Sequence, residues 1–121
     1  ENNIGYIEFS SFDENTAEGF KSKFEELKNQ GIQSLIIDLR NNGGGIVDEA
    51  LEIAGYIADK DSVLLYEVNK DNEEEVKKSE NEPIINMPIV ILTNENTASS
   101  SEILAGALKD LGKAKIVGTK T

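Results

Sequence analysis

"IQSLIIDLRNNGGGIVDEALEIAGYI", residues 32–57, carries three signals in succession. From Leu35 to Leu39 the chain is apolar except at Asp38, short and β-branched, the profile of a strand buried on both faces of a largely parallel sheet. Gly43, Gly44 and Gly45 then free the backbone from side-chain obstruction. Ile46, Ala50, Ile53, Ala54 and Ile57 follow at helical spacing. A buried strand, a glycine turn and an amphipathic helix form the first part of a crossover unit, so this stretch predicts an α/β domain.

The same alternation extends both ways. "NIGYIEFSSF" (3–12) has the β-branched and aromatic content of a strand, with mixed faces. Ala17, Phe20, Phe24 and Leu27 mark an amphipathic helix, with Gly31 placed to end it. Residues 62–83, "SVLLYEVNKDNEEEVKKSENEP", join a strand to an acidic turn and read as a hairpin whose second arm is "EEVKKS". "IVILTN" (89–94) is a further apolar strand. Ile103, Leu104, Ala107, Leu108 and Leu111 then define a helix, and "AKIVG" a last strand. The expected fold is a layered α/β domain with a largely parallel sheet and crossover helices. No internal repeat interrupts it.

Composition narrows the function. The length of 121 residues suits one domain with a real core. With 12 basic and 23 acidic residues the formal charge is −11, which repels phosphate backbones and anionic lipid surfaces, so nucleic acid is not an expected partner. The absence of cysteine excludes disulfides, thiolate metal sites and cysteine catalysis. No apolar run is long enough to span a bilayer, and Glu1-Asn2-Asn3 is not the start of an export signal. Either the protein is cytosolic or its targeting segment is expected outside these residues.

Two loops follow buried strands, where open α/β sheets place ligands and catalytic groups. In "DLRNNGGG" (38–45) the glycine amides can face an anion ahead of a helix. Arg40, the only arginine, suits either a structural ion pair or a substrate carboxylate. The plain alternative is a flexible turn with Asp38 and Arg40 satisfying buried groups. A nucleotide-phosphate loop is disfavoured, because neither G-x-G-x-x-G nor a P-loop lysine is present.

The second loop is "ENTASSSEILAGALKD" (95–110). Ser99 and Glu102 have capping-box spacing, so Ser99 reads as a helix N-cap. The start of a helix also favours an alkoxide and a neighbouring oxyanion. With no histidine in the chain a Ser-His-Asp triad cannot be completed, whereas a lysine amine of lowered pKa can act as base. Physical chemistry allows a Ser-Lys enzyme without identifying the lysine.

The ordered blocks "LIIDLRNNGGGIVDEALEIAGYI", "PIVILTNENTASSSEILAGALKD" and "AKIVGTKT", preceded by "IGYIEFSSF", resemble the C-terminal processing peptidases, or tail-specific proteases, along nearly the whole chain. The resemblance implies a crotonase/Clp-protease-like core and a serine peptidase using a Ser-Lys dyad on protein or peptide substrates, with no cofactor or metal. It implies Ser99 as nucleophile. Ser100, standing where alanine is usual, would give its amide to the oxyanion hole, so the substitution should matter little. The other donor would be a glycine amide, with Gly45 preferred over Gly44. Asp110 matches a position at which some relatives have an auxiliary Asp, and the alternative for it is a surface residue at a helix end.

The family's lysine lies in a segment directly after "VGTKT", so residues 1–121 would be a partial peptidase core, inactive alone, and Lys120 a solvated charge. A PDZ domain upstream and further strands downstream are expected in the longer protein. That protein is expected to be exported, with any membrane association running through segments outside these residues. The competing reading is a noncatalytic peptide- or ligand-binding module on the same fold.

Overall fold

A computed structural model describes residues 3–68 and 71–118. The expectations for Glu1-Asn2, for Asn69-Lys70 in the hairpin turn, and for Lys120 within 119–121 lie outside the described residues. The elements run β1 (Ile4–Glu8), α1 (Thr16–Asn29), β2 (Ser34–Asp38), α2 (Val47–Ile57), β3 (Val63–Val68), β4 (Glu74–Lys78), β5 (Ile89–Thr93), α3 (Ser100–Asp110) and β6 (Lys115–Gly118). Four strands form a parallel sheet in the order β1-β2-β5-β6, and β3-β4 is a separate antiparallel hairpin.

Local sequence accounts for most element bounds. α1 begins after a turn in which Asp13 N–H donates to Thr16 Oγ1 at 2.8 Å. The Ala17 amide in its first turn is met by Glu49 Oε1 of α2 at 2.9 Å. At the other end Gly31 N–H and Ile32 N–H close a Schellman motif on the carbonyls of Lys28 and Leu27. The hairpin forms with "EEVKK" as its second arm, every residue of which is exposed.

Successive strands step across the sheet in one direction, so right-handed crossovers bring the helices to a single face. Burial agrees with this. Ile7, Leu35, Ile37, Ile89 and Ile91 are buried, whereas their neighbours Ile4 and Tyr6 are each 44% exposed and Val117 is 52% exposed. The expected two-sided burial of β2 is therefore corrected: Leu35 and Ile37 are covered, but Ile36 is only half-buried. Its apolar run reflects a central position in a parallel sheet, while the helices of this chain cover only one side.

Register then positions the site. Glu8 pairs with Asp38, and Asp38 with Leu92, so β1, β2 and β5 end in line. The loops after β2 and β5 emerge side by side, although 53 positions separate Asn41 from Asn94, its hydrogen-bond partner across them.

Candidate active site

Several hydrogen bonds lace the two loops together. Leu39 N–H donates to the Leu92 carbonyl at 2.8 Å, continuing the ladder beyond the strands, and Ala98 N–H donates to the Asn42 carbonyl at 3.1 Å. The buried Thr97 hydroxyl donates to the Leu39 carbonyl at 2.7 Å and accepts from Asn94 N–H at 3.0 Å. Asn94 and Asn96 both donate to Asn41 Oδ1, at 2.9 and 3.0 Å. The glycine loop and the serine loop thus meet at one edge of the sheet.

Ser99 occupies φ 58°, ψ −120° at the start of α3. This conformation is costly for a residue with a Cβ, on the order of 1–3 kcal/mol, and differs from the extended backbone of an ordinary N-cap. A sharp strand-turn-helix bend with a serine at its tip is how an α/β fold presents a nucleophile. Ser99 is exposed, and its N–H donates to Glu102 Oε1 at 3.1 Å. The predicted capping box forms, Glu102 securing the amide of Ser99 and the Ser99 side chain accepting from the Glu102 N–H, at a residue whose backbone departs from a plain cap.

Gly44 and Gly45 are pressed between this bend and the Phe12 segment. A Cβ on Gly44 would lie 2.7 Å from Ser99 Cβ and 3.0 Å from Ser100 N, and Gly44 has φ +105°. A Cβ on Gly45 would lie 2.1 Å from the Phe12 carbonyl oxygen. Close approach on both sides requires glycine at each position. The Gly44 amide donates to Asn42 Oδ1 at 2.8 Å, whereas the Gly45 amide has no acceptor among the described residues. Ser100 is fully buried, and its hydroxyl donates to the Gly45 carbonyl at 2.8 Å.

Asn42 and Thr97 are the structural residues that sequence reasoning passed over. Asn42 is fully buried and also donates through Nδ2 to the Phe9 carbonyl at 2.9 Å. The available signals were an asparagine directly before a glycine run and the Asn94-x-x-Thr97 spacing of a side-chain-bonded turn. Arg40 resolves toward its structural alternative. Its Nε and Nη2 grip Asp38 at 3.0 and 2.8 Å, and the Tyr6 hydroxyl donates to the same carboxylate. The Arg40 guanidinium holds the buried Asp38 carboxyl down at about 2. Asp38 in turn raises the pKa of Arg40 and, as hydrogen-bond acceptor, that of Tyr6.

Asp110 is not brought to the site. It is exposed at the last residue of the 11-residue helix that Ser99 precedes, about 15 Å away at 1.5 Å per residue. Ser101 points into the protein, its hydroxyl buried and without a hydrogen-bond partner among the described residues. Among the described residues no cluster of acidic side chains is arranged to hold a metal ion, and no helix is long and apolar enough to cross a membrane.

A parallel α/β sheet with a strained, exposed serine at a helix start, faced by glycine backbone, places the chain in the class of α/β folds that carry a sharp strand-turn-helix bend at the sheet edge. More particularly, the chain belongs to peptidase family S41, whose model matches residues 3–121. It is 38% identical over 118 residues to the chloroplastic carboxyl-terminal-processing peptidase 3 of Arabidopsis thaliana, covering 97% of this chain and 23% of that protein. It is 35% identical over 121 residues to the carboxy-terminal processing protease CtpA of Bacillus subtilis, covering 100% of this chain and 26% of that one. Among solved structures, the photosystem II D1 C-terminal processing protease superposes with a TM-score of 0.86 at 34% identity, over 93% of this chain and 29% of that chain. The chain thus spans about a quarter of the length of the curated relatives it matches.

Proposed function

We propose that these residues form the nucleophile-bearing part of a serine peptidase that cleaves protein chains near their C-termini. The strained, exposed backbone of Ser99 carries this reading. A noncatalytic binding module has no need to hold a serine at φ 58° against a glycine that cannot be replaced. Family membership and the C-terminal processing relatives support the same reading.

In this reading Ser99 Oγ attacks the scissile carbonyl while a lysine amine, borne by the segment that follows residue 121 in the longer protein, takes its proton. The oxygen that becomes negative lies between the Ser100 and Gly45 amides at the positive end of α3. Collapse of the tetrahedral intermediate breaks the C–N bond, and the lysine returns its proton to the departing amine. Water, deprotonated by the same amine, then hydrolyses the Ser99 ester. Gly45 is favoured over Gly44 as donor because Asn42 already occupies the Gly44 amide. Asp110, at the opposite end of α3, takes no part in contacting the reacting atoms.

The deciding experiment is turnover of an unstructured peptide by the longer protein with Ser99→Ala. Loss of cleavage with unchanged folding is expected. Retained cleavage would remove Ser99 from the nucleophile's role.

A further inference from the structure

Glycine peptides rotate with little hindrance, and a Gly-Gly peptide turned over would point its N–H away from a bound substrate. The loop here is held against such a turn from both ends. Asn42 Oδ1 accepts from Gly44 N–H at 2.8 Å, and Ser100 Oγ donates to the Gly45 carbonyl at 2.8 Å. Both side chains belong to fully buried residues. Between the two tethers, the Gly44 carbonyl accepts from Phe12 N–H at 2.9 Å. In a planar trans peptide the C=O and N–H point in opposite directions, so the Gly45 N–H faces away from Phe12. The Phe12 backbone crowds Gly45, while Ser99 and Ser100 crowd Gly44.

We infer that Asn42 and Ser100 are positioning residues that fix the Gly44–Gly45 peptide with its N–H turned toward the Ser99 side. The inference rests on the proposed function for its catalytic consequence, though not for its structural one. It replaces the expectation that serine instead of alanine at position 100 matters little, because the Ser100 hydroxyl holds the Gly45 carbonyl as well as leaving its amide to the oxyanion. It also assigns Asn42 three anchors, since its Nδ2 reaches the Phe9 carbonyl and its own carbonyl accepts from Ala98 N–H. One residue thereby ties the end of β1, the glycine loop and the serine loop together.

The structural part is read by amide exchange in the 121-residue chain. Asn42→Ala should speed exchange of the Gly44 amide by roughly tenfold or more while the core amides of Ile37 and Ile91 keep their protection. Unchanged Gly44 exchange in a folded variant overturns the inference. Should Asn42→Ala fail to fold, Asn42→Ser, too short to reach Gly44, is read in its place.

The catalytic part is read in the longer protein. Asn42→Ser and Ser100→Ala should each lower kcat roughly 10- to 100-fold with KM nearly unchanged, as expected for groups that matter only when the oxyanion forms. Affinity for a peptide aldehyde matched to the assay substrate should fall in parallel, and affinity for the corresponding uncleavable peptide should hold. A rise in KM at constant kcat, or full kcat per folded molecule, counts against it. Because the exchange measurement does not depend on activity, it distinguishes failure of this inference from failure of the peptidase reading.

Discussion

Gly44 and Ser99 approach so closely that a Cβ on the glycine would stand 2.7 Å from that of the serine. Neither neighbour can yield easily, since the other close atoms are the Ala98 carbonyl oxygen and the Ser100 nitrogen, both at 3.0 Å. Gly44→Ala should therefore destabilise the chain by about 2 kcal/mol or more and abolish cleavage by the longer protein. Gly43 is the internal control: a Cβ there meets nothing within 4 Å. Gly43→Ala should change stability by less than about 0.5 kcal/mol in urea unfolding. Equal effects at the two positions would refute the contact as drawn.

The three serines should separate cleanly. Ser99→Gly removes the nucleophile and relieves the positive φ, so it should raise stability by about 1 kcal/mol while turnover in the longer protein disappears. Ser101→Ala removes a buried hydroxyl that has no partner, and should leave most of the activity with stability unchanged or higher by about 1 kcal/mol. Loss of turnover from Ser101→Ala equal to that from Ser99→Gly would show the nucleophile to be misassigned.

Asp38 should make stability depend on acid. Its carboxyl titrates at about 2 in the fold, below its ordinary 3.8, because Arg40 and the hydrogen bonds favour the charged form. A lowered folded pKa stabilises above the unfolded value and loses that contribution as pH falls through the folded one. With Arg40 half-exposed, the contribution is about 1–2 kcal/mol. Urea unfolding should show the wild type losing this margin between about pH 4 and pH 2, a loss missing in Asp38→Asn. Parallel pH profiles for the two proteins would mean that the ion pair contributes nothing.

The 121-residue chain alone should cleave no unstructured peptide. A serine at its ordinary pKa is a weak nucleophile, and on the proposed function the lysine that activates it is supplied from outside these residues. Cleavage by the purified chain that vanishes with Ser99→Ala would place the base within these residues.

The element types were legible in the sequence because they depend on local spacing. Apolar periodicity marks α1, α2 and α3, short β-branched runs mark β2 and β5, and even the exposed arm Glu74–Lys78 follows from its turn-flanked position. Motif order also singled out Ser99, Ser100, Gly44 and Gly45. Tertiary structure decided where they stand relative to one another. Pairing of β2 with β5 sets the glycine and serine loops side by side, and that adjacency gives Gly44 its contact with Ser99, while pairing of β1 with β2 brings the Tyr6 hydroxyl to Asp38. It also leaves Asp110 at the end of α3 far from Ser99 and one sheet face half-covered, for side-chain pattern specifies which residues seek burial, while strand order and crossover hand determine what comes to cover them.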